Sequence, residues 1–211
     1  MNPFNRSIIY VDGFNLYYGA VKGTAWKWLD LQRYFTLLRM DDDIQVIKYF
    51  TAMINGSHLH NQEAYLNALA ANCPKLNIIL GQYKLKNVLC GVRTCNHRGP
   101  RIFSMPEEKR TDVNIAVQMV FDAVSDACDR FVLVSGDCDL VPAVRMVKEI
   151  APQKTITVYV PATNAVRGAA VELRSAADKH RTLPLNLFPK TQFPPQVPDG
   201  SGGWISKPQT W

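Results

Sequence analysis

The stretch Phe131-Val132-Leu133-Val134-Ser135-Gly136-Asp137-Cys138-Asp139-Leu140-Val141-Pro142 joins a short apolar run to two carboxylates and then to an amphipathic segment. A β-branched run that stops at Ser-Gly predicts a buried parallel strand, a tight turn and a helix N-terminus. Ligands in open α/β sheets bind at the carboxyl ends of strands, so Asp137 and Asp139 stand where such folds do their chemistry. Two aspartates at a helix start also serve as caps. The choice turns on whether other strand ends bring carboxylates to the same place.

A second run, Ser7-Ile8-Ile9-Tyr10-Val11, stops at Asp12-Gly13-Phe14-Asn15. Gly13 permits a sharp turn there, and Asp12 and Asn15 can both face the space above the sheet. A helix starts at Leu16, with Tyr17 and Tyr18 as packing residues. Apolar residues at 28, 31, 34, 35 and 38 predict a helix over 28–40. Asp41-Asp42-Asp43 resembles a metal cluster, but before an apolar strand it reads as a solvated loop. Strands are expected at 44–53, 76–80 and 154–160, with 81–86 continuing extended and 180–185 as a short last strand. Helices are expected at 62–71, 111–127, after Pro142 to about 150, and 165–177, the last carrying Arg167, Glu172 and Arg174. Thr111 or Asp112 would cap the 111–127 helix. Asp122 and Asp126, further along it, read as a solvated face or as added carboxylates.

Residues 87–108 are the least periodic part before the tail. Cys90, Cys95 and His97 lie there as C-x4-C-x-H. A structural zinc normally takes four ligands, so a surface loop or hairpin with two free thiols stands beside a zinc reading. Lys84, Lys86, Arg93, Arg98, Arg101, Lys109 and Arg110 face only Glu107 and Glu108 as countercharge. A basic insertion over about 86–108 suits a phosphate backbone or a solvated charged loop.

At 211 residues, 47% of them hydrophobic and 20% charged, the chain can bury a full core. We expect one domain over 1–188 and a Pro/Gly-rich, poorly ordered tail over 189–211. No run of about 18 apolar residues exists, and Met1 to Arg6 holds no signal-type apolar region. The five cysteines, an odd number, read as reduced thiols, so a cytoplasmic protein is expected. The formal charge of +6 is a mild bias toward polyanions. There is no P-loop, no G-x-G-x-x-G and no G-x-S-x-G, which argues against ATPase, dinucleotide and serine-hydrolase chemistry.

Alternating strands and helices predict a three-layer α/β fold with a central, mainly parallel sheet flanked by helices. The ends of the strands starting at Ser7 and Arg130 can then lie side by side, bringing Asp12, Asp137 and Asp139 together, with Asp112 pointing into the same crevice. Four carboxylates in one crevice stay ionised only beside a cation. Oxygen ligands suit Mg²⁺ or Mn²⁺, and such an ion is the usual apparatus for phosphodiester hydrolysis.

Tyr10-Val11-Asp12-Gly13-Phe14-Asn15-Leu16, Lys109-Arg110-Thr111-Asp112-Val113-Asn114-Ile115-Ala116 and Val134-Ser135-Gly136-Asp137-Cys138-Asp139-Leu140-Val141-Pro142 resemble, in order, the three signature blocks of NYN-domain proteins of the LabA/DUF88 group, in the PIN-like nuclease superfamily. Val171-Glu172-Leu173-Arg174-Ser175-Ala176-Ala177-Asp178 also resembles that group. The resemblance implies a Rossmann-like PIN fold and a metal-dependent ribonuclease. It implies Asp12, Asp112, Asp137 and Asp139 as the catalytic, metal-binding set, with Asn15 and Ser135 as orienting polar positions. Cys138 stands where the family commonly has a small polar residue, with little effect on metal expected. Lys109 and Arg110 would hold RNA phosphates, and Tyr17, Trp26 or Trp28 could stack a base. RNA is the expected partner, a second copy of the chain a further one, and a membrane none. An RNA- or protein-binding module with little activity, and a phosphatase using the same carboxylates, are the competing expectations.

Overall fold

β1 (Asn5–Asp12) is the axis of the molecule. In the computed structural model, which describes residues 5–163 and 170–209 (the Pro106 side chain apart), it is fully covered on both sides from Ile8 onward. It pairs in parallel with β2 (Asp42–Thr51) on one side and with β6 (Arg130–Val134) on the other. β3 (Leu76–Leu80), β7 (Thr155–Val160) and β8 (Lys179–Thr182) complete a six-stranded sheet of order β3-β2-β1-β6-β7-β8. All of its pairings are parallel.

Alternation along β1 and β6 splits the core. Ile9, Val11, Val132 and Val134 pack on one face with α2 (Leu31–Leu38) and α3 (Leu59–Asn72). Ile8, Tyr10, Phe131 and Leu133 pack on the other with α4 (Thr111–Val124) and α5 (Val141–Ile150). Strands buried on both faces must be apolar throughout, and this is why both runs lack polar alternation. α6 (Val171–Ala176) lies near the end of α5. The rest of the expected 165–177 helix, with Arg167, lies outside the described residues.

The fold is thus the expected three-layer α/β sheet, with several local differences. α2 starts at Leu31, capped by Asp30, whose Oδ1 accepts from the Arg33 N–H at 2.8 Å. Trp28 is core but not helical: its Nε1 donates to Pro194 O at 2.8 Å. Asp42 is not in a solvated loop. It opens β2 with its side chain 1% exposed, paired with both Arg39 and Arg130. The chain after β3 does not continue the same strand. Gly81 breaks it, and β4 (Gln82–Leu89) with β5 (Ile102–Lys109) forms a separate antiparallel hairpin. This is the hairpin form of the 87–108 segment.

The C-terminal residues, expected as a poorly ordered tail, pack onto the α2/α3 face. Phe193 and Val197 enter the core, and the Phe193 N–H donates to Trp28 O at 2.8 Å. β9 (Gln196–Pro198) and β10 (Trp204–Ser206) form a small hairpin, and Asn72 Nδ2 donates to Pro198 O at 3.0 Å. Its turn uses Gly200 and Gly202 at φ +82° and +99°, with Asp199 accepting from the Ser201 and Gly203 N–H groups. Polar composition hid three apolar anchors, Phe193, Val197 and Ile205.

Candidate metal centre

The sheet order reverses between β1 and β6, and such a switch point leaves a crevice at the carboxyl ends of the strands. Val11 pairs with Val134, so Asp12 and Ser135 emerge side by side. Asp12 is 2% exposed. Its Oδ1 accepts from the Asn15 N–H at 2.9 Å, and its Oδ2 accepts from Asn15 Nδ2 at 2.6 Å and Ser135 Oγ at 2.9 Å. Asn15 Oδ1 in turn accepts from the Gly136 N–H at 3.2 Å, and the Asp137 N–H donates to Ser135 Oγ at 3.1 Å. Asn15 and Ser135 therefore tie the end of β1 to the turn after β6 and fix the carboxylate of Asp12. Three donors leave part of its acceptor capacity open, since a carboxylate offers about four lone-pair sites.

Asp137 caps the short helical turn Cys138–Leu140, accepting from the Asp139 N–H at 3.0 Å. The capping role thus falls on Asp137, and Asp139 is left exposed at the same turn. Ligand atoms of Asp137, Cys138 and Asp139 all lie within 4.8 Å of one another. The Cys138 thiol is therefore part of the group, beyond its expected minor place.

Asp112 lies in the first turn of α4. Neither Thr111 nor Asp112 caps that helix. Arg110 does, with its backbone in the left-handed region at φ +77° and no side-chain bond to the helix. Burial, then the charges of Asp12, Asp137 and Asp139, push the Asp112 carboxyl up to about 6. Burial also raises Asp12, against the hydrogen bonds of Asn15 and Ser135, and Asp137 adds to the rise. Asp112 thus feels the charge of the other three expected carboxylates.

A fifth joins them. Burial, then Asp112 and Asp12, push Glu108 up to about 7, against a hydrogen bond from the Thr111 N–H. Its Oε1 is buried without a hydrogen-bond partner. From the sequence Glu108 reads as countercharge in a basic loop. The missed signal is strand alternation: Lys84 pairs with Glu107 and Tyr83 with Glu108, so adjacent glutamates face opposite ways. Tyr83 stacks on Phe14 at 6.4 Å, which turns that face toward the end of β1.

Among the described residues, no lysine or arginine forms a salt bridge with these five acids. A cluster of mostly oxygen donors without a protein cation fits a divalent metal ion. Arg110 stands next to the crevice without an ion-pair partner among the described residues, whereas Lys109 bonds Glu107 at 2.7 Å. Asp122 neither joins the set nor faces solvent. It is 4% exposed, accepting from Tyr10 Oη at 2.5 Å and Lys48 Nζ at 2.6 Å. Asp126 pairs with Arg6 and Lys154 at the other end of the sheet. Cys90, Cys95 and His97 sit at the tip of the β4–β5 hairpin and do not gather three ligand atoms as the Asp137 group does. Trp28 is fully buried, so it cannot stack a base. No helix among the described residues is long and apolar enough to cross a membrane.

A parallel α/β sheet with an acidic crevice at its switch point is an arrangement that PIN-like nuclease folds have. The NYN domain model matches residues 6–184, and the chain belongs to the NYN family of that superfamily. The chain is also similar to 6-hydroxy-3-succinoylpyridine 3-monooxygenase HspA of Pseudomonas putida (strain DSM 28022 / S16). The two are 30% identical over 237 aligned positions, spanning 98% of this chain and 75% of that protein. A solved protein of unknown function, VPA0982 from Vibrio parahaemolyticus RIMD 2210633, shares the fold. Its TM-score is 0.55 at 18% identity, over 87% of this chain and 96% of that one.

Proposed function

We propose that this protein is a metal-dependent ribonuclease. The observation that carries the reading is the set of acids at the β1/β6 switch point with no protein cation to balance them. Asp12, Asp112, Asp137 and Asp139 would hold Mg²⁺ or Mn²⁺. Bound there, such an ion supplies charge stabilisation for an in-line displacement at phosphorus and lowers the pKa of water. The chain's own residues do the rest. Ser135 and Asn15 hold Asp12 in one orientation. Glu108, pushed up to about 7 in the metal-free site by burial and by Asp112 and Asp12, stands beside them as a group able to take or give a proton. Arg110, beside the crevice, offers positive charge to a flanking phosphate, whereas Lys84, Lys86 and Lys109 lie on the hairpin face opposite Glu108, where they meet only RNA chain that runs outside the crevice. The test is cleavage of single-stranded RNA in Mg²⁺ or Mn²⁺ by wild type, Asp12→Asn and Asp137→Asn. Equal cleavage by all three would sink the assignment, and RNA binding that persists in EDTA with no cleavage in any metal would favour a binding module.

A second reading rests on the similarity to HspA, whose name is that of a monooxygenase acting on a hydroxypyridine. In that reading the same crevice would serve oxidation of a small ring. Oxygen uptake dependent on a hydroxypyridine and an added two-electron reductant, in a preparation that cleaves no RNA, would favour it.

A further inference from the structure

A cavity of about 300 Å³ opens at the carboxyl edge of the sheet, between the π-helical turn Tyr17–Val21, the end of β2 and α3. Gly13, the residue after Asp12, lines it, so cavity and carboxylate crevice share a wall. The lining chemistry is of another kind. Tyr17, Tyr49 and Tyr65 form its walls with Leu29, and no carboxylate takes part.

Three features specify what fits. First, the walls are flat rings, and the volume, at the small end of ligand sites, holds one base-sized ring with a substituent. Second, Tyr49 is 7% exposed, and its hydroxyl comes within 2.9 Å of the point a Cβ on Gly13 would occupy. That hydroxyl makes no hydrogen bond among the described residues. Burial and the nearby Asp12 charge push its pKa up, so it remains a donor. Tyr49 lines the cavity, so an acceptor on a ligand entering it can take that hydrogen bond. Third, Lys22 and Lys27 line the same cavity, and neither pairs with a carboxylate among the described residues. Lys22 Nζ sits 4.8 Å above the Tyr18 ring.

The wall is also held in place. π-helical turns are rare and cluster at functional sites. A Cβ on Gly19 would fall 2.2 Å from Pro161 O, so only glycine lets this turn press onto the loop after β7. That contact sets where Tyr17 stands.

We propose that this cavity binds one planar heteroaromatic ring carrying an anionic group, with the ring among Tyr17, Tyr49 and Tyr65 and the anion at Lys22 and Lys27. In RNA, an identification that rests on the ribonuclease reading, the ring is the base beside the scissile phosphate. A free single-ring heteroaromatic acid presents the same chemistry.

The test is calorimetric titration of the full chain in EDTA with uridine 5′-monophosphate, pyridine-3-carboxylate and ribose 5-phosphate. At least one ring-bearing anion binds and ribose 5-phosphate does not. Tyr17→Ala and Lys27→Ala each weaken that binding about tenfold, the scale of one lost stacking or charge contact. Circular dichroism checks the fold, and the rim variant Lys27→Ala carries the test if Tyr17→Ala unfolds. Tighter binding of the nucleotide assigns the source to RNA, and tighter binding of the pyridine acid assigns it to a free metabolite. No binding of either ring, ribose 5-phosphate binding as well as the rings, or variants that bind like wild type overturns the proposal. Because no metal is present, ring binding without RNA cleavage removes only the ribonuclease reading. Cleavage without ring binding removes only this one.

Discussion

The two ends of the central sheet treat the same residue type in opposite ways. At the amino edge, Asp42, Asp126 and Asp129 meet Arg6, Arg39, Arg130 and Lys154. The Arg6 guanidinium holds Asp129 well below the usual carboxylate range, and Lys154 lowers Asp126. At the carboxyl edge, Asp12, Asp112 and Glu108 are all pushed up by burial and by neighbouring carboxylates. The difference separates two uses of an acid. One set is balanced by the fold and locks strand starts together. The other is left unbalanced, and only something from outside can balance it.

The largest effect that tests this contrast is on catalysis. Asp137→Asn or Asp12→Asn should lower RNA cleavage in Mg²⁺ by about a thousandfold, the several kcal/mol a bound metal supplies. Asp129→Asn at the other end should leave cleavage unchanged. A cleavage assay in which all three behave alike would erase the distinction.

Next comes stability. Asp42 is enclosed by two arginines. Asp42→Ala should cost about 3 kcal/mol, since it removes a buried carboxylate from two partly buried arginines at once, and lower the melting temperature by roughly 6–12 °C at this chain size. Asp129→Asn breaks a half-exposed pair and should cost at most about 1 kcal/mol. Urea or thermal melts of both variants measure the gap.

The third effect is a pH dependence. Asp112 and Glu108 have folded pKa values above their unfolded ones, so the folded state holds protons the unfolded state has lost. Their burial is harmless below pH about 4 and increasingly destabilising as pH rises through about 6–7. Mg²⁺ or Mn²⁺ should therefore raise the melting temperature more at pH 8 than at pH 5. Equal shifts at both pH values would contradict the unbalanced-acid account. The acids at the amino edge act with the opposite sign: their lowered values add stability that is lost as pH falls below about 4.

Smaller still, Glu108→Gln should raise the metal-free melting temperature at pH 8, with the gap closing toward pH 4, while weakening metal binding. The smallest change is expected from Cys138→Ser. Its thiol sits among the ligand atoms but is a soft donor, so cleavage in Mg²⁺ should hold and preference among softer metals should shift.

Much of this was written in the chain itself. Two apolar runs ending in Asp12 and in Ser135-Gly136-Asp137 announced a parallel sheet and its functional edge, because a strand buried on both faces has no room for polar alternation. Asp112 could be placed because it starts a long amphipathic helix. Local signals of this kind survive in one dimension. Charge balance does not. The sequence assigned Asp41-Asp42-Asp43 and Asp122 to solvent, yet Asp42 and Asp122 are paired inside the protein by Arg130 and Lys48, 88 and 74 residues away. It set Glu108 among basic neighbours, yet strand pairing turns it toward Asp112. Proline and glycine made the C-terminus look unstructured until Trp28 supplied its seat. The sequence by itself determined which segments bury and where acids end strands, since period and composition act over a few residues. Only the tertiary structure decided which acids are neutralised and which are left without a protein cation, because that depends on which distant charges the folded backbone brings within a few ångströms.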